Sequence, residues 1–282
     1  MKTILANGLV IGSIYGLVAL GITLIYKKSR VLNFAQGETG MFGAFVFYAL
    51  SAERHKPYLV AAAAGVAVSA LLGAGTFLLL ARRRTDPLAM LVGTLAVAGT
   101  LTFAANEIWG VDQHYVPPPL THLHVSVLGL RFVGPRLLVL LAGLVLALVF
   151  FIAFRTTNVA LLFRASATDP YAATLMGIDV ARLDLATWTL AGALSGLAAV
   201  LVAPIVGFDV FFMTLLAIRG FAASLLAGLT NLPGTLLAGL GLGIAEAALT
   251  RQTTQPGAPE AVLVVLIVAF LFRPQPTQRA TA

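Results

Sequence analysis

Runs of about twenty apolar residues, broken by short polar joints, set the limits on what this chain can fold into. A helix of that length crosses the hydrocarbon core of a bilayer, whereas a barrel strand alternates at every second residue over about ten. The composition agrees, with 59% hydrophobic and only 10% charged residues, where soluble domains carry roughly a quarter charged. The reading is an integral membrane protein of the all-α class, a polytopic transmembrane helical bundle. With the joints as boundaries, spans are predicted at 7–26, 33–52, 58–81, 88–109, 137–154, 185–206, 214–229, 234–250 and 260–272, about 8–9 in all. The last three are short or interrupted by glycine. No second soluble domain or low-complexity tract interrupts the pattern, so 1–282 reads as a single membrane domain.

The first apolar run is too long for a signal-peptide core and leads into Lys27, Lys28 and Arg30 without a cleavage site, so it reads as a retained helix. The net charge of +7 comes from basic residues at the ends of apolar runs. That is the signature of topology, and it argues against a nucleic-acid surface. If the joint after the first helix is cytoplasmic, that side holds Lys27, Lys28, Arg30, Arg82, Arg83, Arg84, Arg155, Arg164, Arg182, Arg273 and Arg279. The outside then holds Lys2, Arg54, Lys56, Arg131, Arg136 and Arg251, which places the N-terminus outside. A re-entrant 214–229 would reverse everything after it without changing the charge balance enough to decide. The external segment 110–136, with Pro117-Pro118-Pro119, is predicted to be extended and free of helix. Its His114, His122 and His124 with Asp112 lack a closed ligand spacing and read as an ordinary loop, so no metal is expected. The absence of cysteine removes disulfides and thiol chemistry.

A polar island at 164–184 divides two apolar runs on the cytoplasmic side. Asp169 suits an N-cap, Pro170 suits the first helical position, and Gly177 can take the left-handed conformation that stops a helix. The result is a predicted helix of about seven residues, too short to stand alone in water. Tyr171 and Leu175, four apart, form an apolar ridge with Met176 beside them. Such a ridge fits either a groove of another protein or the chain's own bundle.

Glycines recur at a spacing of four: Gly8, Gly12 and Gly16; Gly192 and Gly196; Gly239 and Gly243. Each row lies on one helix face and lets another helix approach closely, the expected role being bundle packing.

The island resembles the cytoplasmic segment of the inner-membrane permeases of branched-chain amino acid ABC importers. Arg164, Ala165, Ala167, Asp169, Pro170, Ala172, Ala173, Gly177, Ile178 and Asp179 carry the likeness. The opening NGLVIGSIYGLVALGITLIY, the following Asn33-Phe34-Ala35-Gln36-Gly37-Glu38, and the runs LAGALSGLAAVLVAP and LAGLTNLPGTLLAGLGLGIAEA are also similar to segments of that family, in the same order. A Gln at position 36, where His is common, and the Leu-Thr-Asn-Leu-Pro turn, where Gly-rich sequence is usual, depart from it. The resemblance implies a multi-pass permease in the cytoplasmic (inner) membrane of a prokaryote. Its expected partners are a second permease subunit, two cytoplasmic ABC ATPase subunits and an extracytoplasmic solute-binding protein, with no nucleic acid. The island, with Arg164, Asp169, Pro170, Tyr171, Leu175, Met176, Gly177 and Asp179, is then the coupling helix that docks on an ATPase. No lysine sits in a Gly-rich phosphate loop, so the chain is expected to be a transport subunit without its own ATPase site or cofactor.

Charges inside apolar runs are functional candidates by default, because each costs roughly 2.5–3.5 kcal/mol on insertion scales. Glu38 reads as a carboxylate beside free N–H groups at the cytoplasmic start of the second span. In the resemblance, Asn33 and Glu38 belong to a signature with a gating or structural role. Arg219 and Glu246 are the deepest pair and are expected to meet if 214–229 packs on 234–250. These four are the candidates for the translocation path or its gate. The expected cargo is Leu, Ile, Val or related small amino acids. Permeases of the same family for urea or short amides are the alternative, and an ATP-independent secondary transporter or channel is the reading from another class.

Overall fold

The computed structural model describes residues 2–81, 86–127, 130–156 and 158–252. Its helices are α1 (Lys2–Ser29), α2 (Gln36–Tyr48), which continues into a π-helical turn (Ala49–Glu53), α3 (Tyr58–Leu80) and α4 (Pro87–Trp109). A two-stranded hairpin, β1 (His124–Val127) and β2 (Leu130–Val133), precedes α5 (Gly134–Thr156), α6 (Asn158–Thr168), α7 (Pro170–Leu175), α8 (Val180–Val202), α9 (Phe212–Leu226) and α10 (Leu232–Gln252). The chain is a multi-pass helical membrane protein, with five of these helices long and apolar enough to span a bilayer. The predicted span at 260–272 lies outside the described residues. The described part of segment 110–133 is free of helix, as predicted, and α5 begins inside the predicted segment at Gly134. The segment holds the β1–β2 hairpin, because alternation from His124 to Val133 lets antiparallel strands pair His124 with Val133 and Val127 with Leu130.

α1 is apolar on every side, as befits a central helix. Its spanning window is 89% buried, against 17% for α4 at the periphery. Glycine sets how closely its neighbours approach. A Cβ on Gly8 would lie 2.7 Å from Ile244 Cα, and one on Gly12 would lie 2.7 Å from Leu240 Cα. Gly16 faces Leu236, and Gly239 returns the contact with 2.6 Å to Gly16 Cα. Each step of four along α1 is matched by a step of four back along α10, so the two helices are antiparallel and their glycine rows face each other. The same arithmetic pairs Gly73 with Gly192, Ser69 with Gly196 and Gly65 with Val200, making α3 and α8 antiparallel.

α8 also runs against α1, since Lys28 meets Asp184 and Gly21 lies beside Ala191. As α8 and α10 both oppose α1, α9 between them must travel back along the direction of α1. Parallel contacts agree: Gly220 abuts Val18, and Ser224 Oγ donates to the Ala19 carbonyl at 2.9 Å. α9 therefore runs back toward the island end, and α10 does not take the reversed direction that a re-entrant 214–229 would give it. At the far end, His114 and Phe208 exchange backbone hydrogen bonds of 2.8 and 3.1 Å, within a ring cluster of Phe45, Tyr48 and Phe208.

Candidate functional site

Two features stand out, one at the end of the bundle and one in its middle. At the end, α6 gives way at Thr168 to Asp169, whose extended backbone and Oδ1 cap the next helix by accepting from Ala172 N at 2.9 Å. Pro170 takes the first position of α7. At the other end, Ile178 N donates to Ala173 O and Gly177 N to Thr174 O, both at 3.0 Å, with Gly177 at φ +80°. This pair of bonds is the Schellman closure, which needs a left-handed residue where glycine carries no Cβ penalty. α7 is six residues long and turns Ala173, 1% exposed, toward the protein. Tyr171, Leu175 and Met176 point outward at 76%, 72% and 69% exposure.

The island is thus three pieces of structure. Arg164 belongs to α6, where its carbonyl accepts from Thr168 Oγ1 at 2.9 Å. Asp179 lies beyond the short helix and caps α8, its Oδ1 accepting from Arg182 N at 3.0 Å and its Oδ2 sitting 2.8 Å from Arg182 Nε.

In the middle of the bundle, the chain reverses at Arg30 (φ 56°) and folds back inside before α2 begins. Gln36, the first residue of α2, sits against Gly21 and donates from Nε2 to the Ala191 carbonyl at 2.8 Å. Ala191 is the central residue of α8, so α2 starts at mid-depth. Non-helical backbone is tolerated there because side chains satisfy it. Asn33 Oδ1 accepts from Ala35 N at 3.0 Å, and Asn33 Nδ2 donates to Gln36 Oε1 at 3.3 Å. Ser195 Oγ and Thr39 Oγ1 both donate to the Gln36 carbonyl.

This corrects the reading of Glu38. It lies in the first turn of α2, beside the helix's free N–H groups as read, but at mid-depth and not at the cytoplasmic boundary. The N-cap position is Ala35, which has no side-chain acceptor, and Glu38 reaches across to α9, where Thr214 Oγ1 donates to its Oε1 at 2.8 Å. Glu38 is 5% exposed, and its Oε2 has no hydrogen-bond partner among the described residues.

Arg219 and Glu246 do meet, Nη2 to Oε1 at 3.1 Å, and Tyr15 Oη donates to Glu246 Oε2 at 2.6 Å. The Arg219 guanidinium also lies 5.8 Å from the centre of the Tyr15 ring. Thr214 and Arg219 are five residues apart on α9, about 140° round the helix, so the Glu38–Thr214 contact lies apart from the Arg219–Glu246 pair, while Asn33 bonds Ala35 and Gln36 on the side of α2 that faces Ala191. Sequence reasoning missed the partners Thr214, Ser195 and Ala191, and it missed the buried pair Lys28–Asp184. The only signal for that pair was an ionisable residue near each end of two apolar runs.

The family described as branched-chain amino acid transport system / permease component matches residues 4–272. The probable branched-chain amino acid transport permease protein LivH of Methanocaldococcus jannaschii is 32% identical over 268 residues, which cover 88% of this chain and 81% of that protein. The high-affinity branched-chain amino acid transport system permease protein BraD of Pseudomonas aeruginosa is 27% identical, covering 96% of this chain and 93% of its own. Among solved structures, a chain of PsaBC from Streptococcus pneumoniae in complex with Fab superposes with a TM-score of 0.54 over 97% of this chain and 92% of that one. At 16% identity it shows a shared fold. A match over nearly the whole length, carried by a helical bundle with the capped elbow and mid-depth signature described above, places the chain in the family of permease components of branched-chain amino acid transport systems.

Proposed function

We propose that the chain is the membrane-spanning permease subunit of an ATP-driven importer for branched-chain amino acids, acting in the cytoplasmic membrane as one domain of alternating access. It pairs with a second permease subunit, receives substrate from an extracytoplasmic solute-binding protein, and is driven by two cytoplasmic ATPase subunits that bind the ATP. The observation that carries this reading is the exposed ridge of Tyr171, Leu175 and Met176 on a helix fixed at both ends by Asp169 and Gly177. So short a helix has little stability of its own, and a permanently capped one with its apolar side outward suits a groove in a partner. Basic residues gather at the same end, at Lys27, Lys28, Arg30, Arg164 and Arg182, which supports a cytoplasmic location for α7.

Uptake into membrane vesicles tests this directly, with Leu, Ile, Val, urea and short amides offered with and without ATP. ATP-dependent uptake of the three amino acids is expected. Uptake that persists without ATP would point to a secondary transporter or channel, and preference for urea would move the substrate within the family. Replacing Tyr171 and Leu175 by Asp is expected to abolish co-purification with the ATPase while the chain still inserts.

A further inference from the structure

We propose that Glu38 receives the ammonium group of the translocated amino acid, at the place where α2 and α9 begin side by side in the middle of the bundle. The assignment rests on the amino-acid importer reading above and names a residue that acts within it.

α2 has 13 residues before its π-helical turn and α9 has 15, about 20 and 22 Å at 1.5 Å per residue, and both begin inside the bundle. They start at a common depth and leave in opposite directions. A Cβ on Gly37 would lie 2.8 Å from the Met213 carbonyl and 3.0 Å from Ala217 Cβ. Transporters commonly bind their cargo at such mid-membrane junctions of broken helices. Helix starts alone do not make a site. The independent observation is Glu38 Oε2, a carboxylate oxygen on a residue 5% exposed that has no partner. The described ion pairs are Lys28–Asp184, Arg182–Asp179 and Arg219–Glu246, and none includes Glu38. A carboxylate in the first turn of α2 is favoured by the positive end of that helix. Its one open oxygen calls for a donor that the described residues do not supply.

The surroundings select the donor. Hard metal cations ask for six or more oxygens, and among the described residues no group of three acidic or histidine side chains converges. An ammonium brings three donors and needs only one strong acceptor with neutral ones beside it. Phe34, just before α2, and Phe221 of α9 also pack together, ring centres 5.2 Å apart, about two turns along α9 from Thr214. In the present conformation the seam is closed, and Thr214 Oγ1 holds Oε1 at 2.8 Å. When α2 and α9 part, the ammonium takes up the carboxylate.

The test uses the complete importer in proteoliposomes, with ATPase, second permease and binding protein present and radiolabelled leucine as probe. Glu38→Gln is expected to lower leucine uptake by about tenfold or more, the equivalent of losing one hydrogen bond to a charged group. Glu38→Asp, which keeps the charge, is expected to recover a substantial part, and Thr214→Ala to retain most of it. Labelling of Glu38 by a hydrophobic carbodiimide, read by mass spectrometry, is expected to slow when leucine is being transported. Uptake by Glu38→Gln within twofold of wild type overturns the assignment, as does equal loss in all three variants or labelling indifferent to leucine. If the wild-type complex takes up no leucine at all, the importer reading itself falls and this assignment falls with it. Leucine uptake by wild type that Glu38→Gln matches removes only the role of Glu38.

Discussion

Lys28 and Asp184 lie 2.7 Å apart, Nζ to Oδ1, with side chains only 1% and 11% exposed. The contact is one of charge more than of direction, since Asp184 Oδ1 has no aligned hydrogen bond. It joins the last turn of the central helix α1 to the second turn of α8. α8 in turn begins just after the Gly177 turn that closes α7 and runs on past Ala191 and Ser195, the residues bound to Gln36. One continuous helix therefore connects the exposed ridge to both the centre of the bundle and the start of α2.

Removing one partner of the pair leaves a buried, uncompensated charge, which costs about 3–5 kcal/mol, whereas replacing both by apolar residues of similar size is often neutral. Lys28→Met alone and Asp184→Leu alone are expected to lower the melting temperature of the purified protein sharply. The double replacement should regain most of the loss. Additive losses in the double variant would show that the two side chains act independently.

Glycine positions separate cleanly by what faces them. At Gly12 an added Cβ meets Leu240 Cα at 2.7 Å, a backbone atom that cannot step aside. Gly12→Ala should therefore push α1 and α10 apart and destabilise by about 1–3 kcal/mol, the usual cost of overpacking. Gly75 on α3 faces nothing within 4 Å, so Gly75→Ala should be harmless or gain up to about 1 kcal/mol from helix propensity. Thermal unfolding in detergent gives both numbers, and a Gly12→Ala protein as stable as wild type would contradict the close packing.

Asp169, Pro170 and Gly177 were legible in the chain because capping is local chemistry: the acceptor, the fixed φ and the left-handed residue act within a few positions of themselves. Apolar run length placed the spans for a similar reason. Glu38 was named as a candidate, but its partner was not legible, since Thr214 is remote in sequence. The depth of α2 was hidden too. A polar stretch ending an apolar run reads as a boundary, yet Asn33 and Gln36 find enough partners inside the bundle to take the backbone back into it. Asp179 shows the limit of reading a segment as one object, for it caps α8 and not the short helix beside it.

The two stops of α7 are expected to matter more than their size suggests, because six residues have no spare hydrogen bonds. Losing the Asp169 cap costs about 1 kcal/mol, and a Cβ at the φ of Gly177 costs about 1–2 kcal/mol. Asp169→Ala with Gly177→Ala should raise hydrogen exchange over 170–176 and, on the proposed importer reading, uncouple the protein from the ATPase while leaving it inserted. Asp169→Asn, which keeps a capping oxygen, should behave as wild type. Survival of both ATPase pull-down and uptake in the double Ala variant would show that α7 is not the docking element.

Arg219, Glu246 and Tyr15 tie α9, α10 and α1 together well inside the protein, the charged side chains being 17% and 13% exposed. Losing one side of a buried pair is costly, so Arg219→Met is expected to destabilise by about 3–5 kcal/mol. Tyr15→Phe, which removes only a hydrogen bond to a charged group, should cost about 1.5–3 kcal/mol. The exchange Arg219→Glu with Glu246→Arg keeps the pair but turns it round and offers Tyr15 a donor in place of an acceptor. It should recover part of the stability and lose the Tyr15 contribution. Measured as a double-mutant cycle in detergent, a coupling near zero between positions 219 and 246 would mean that the 3.1 Å contact holds no helices together.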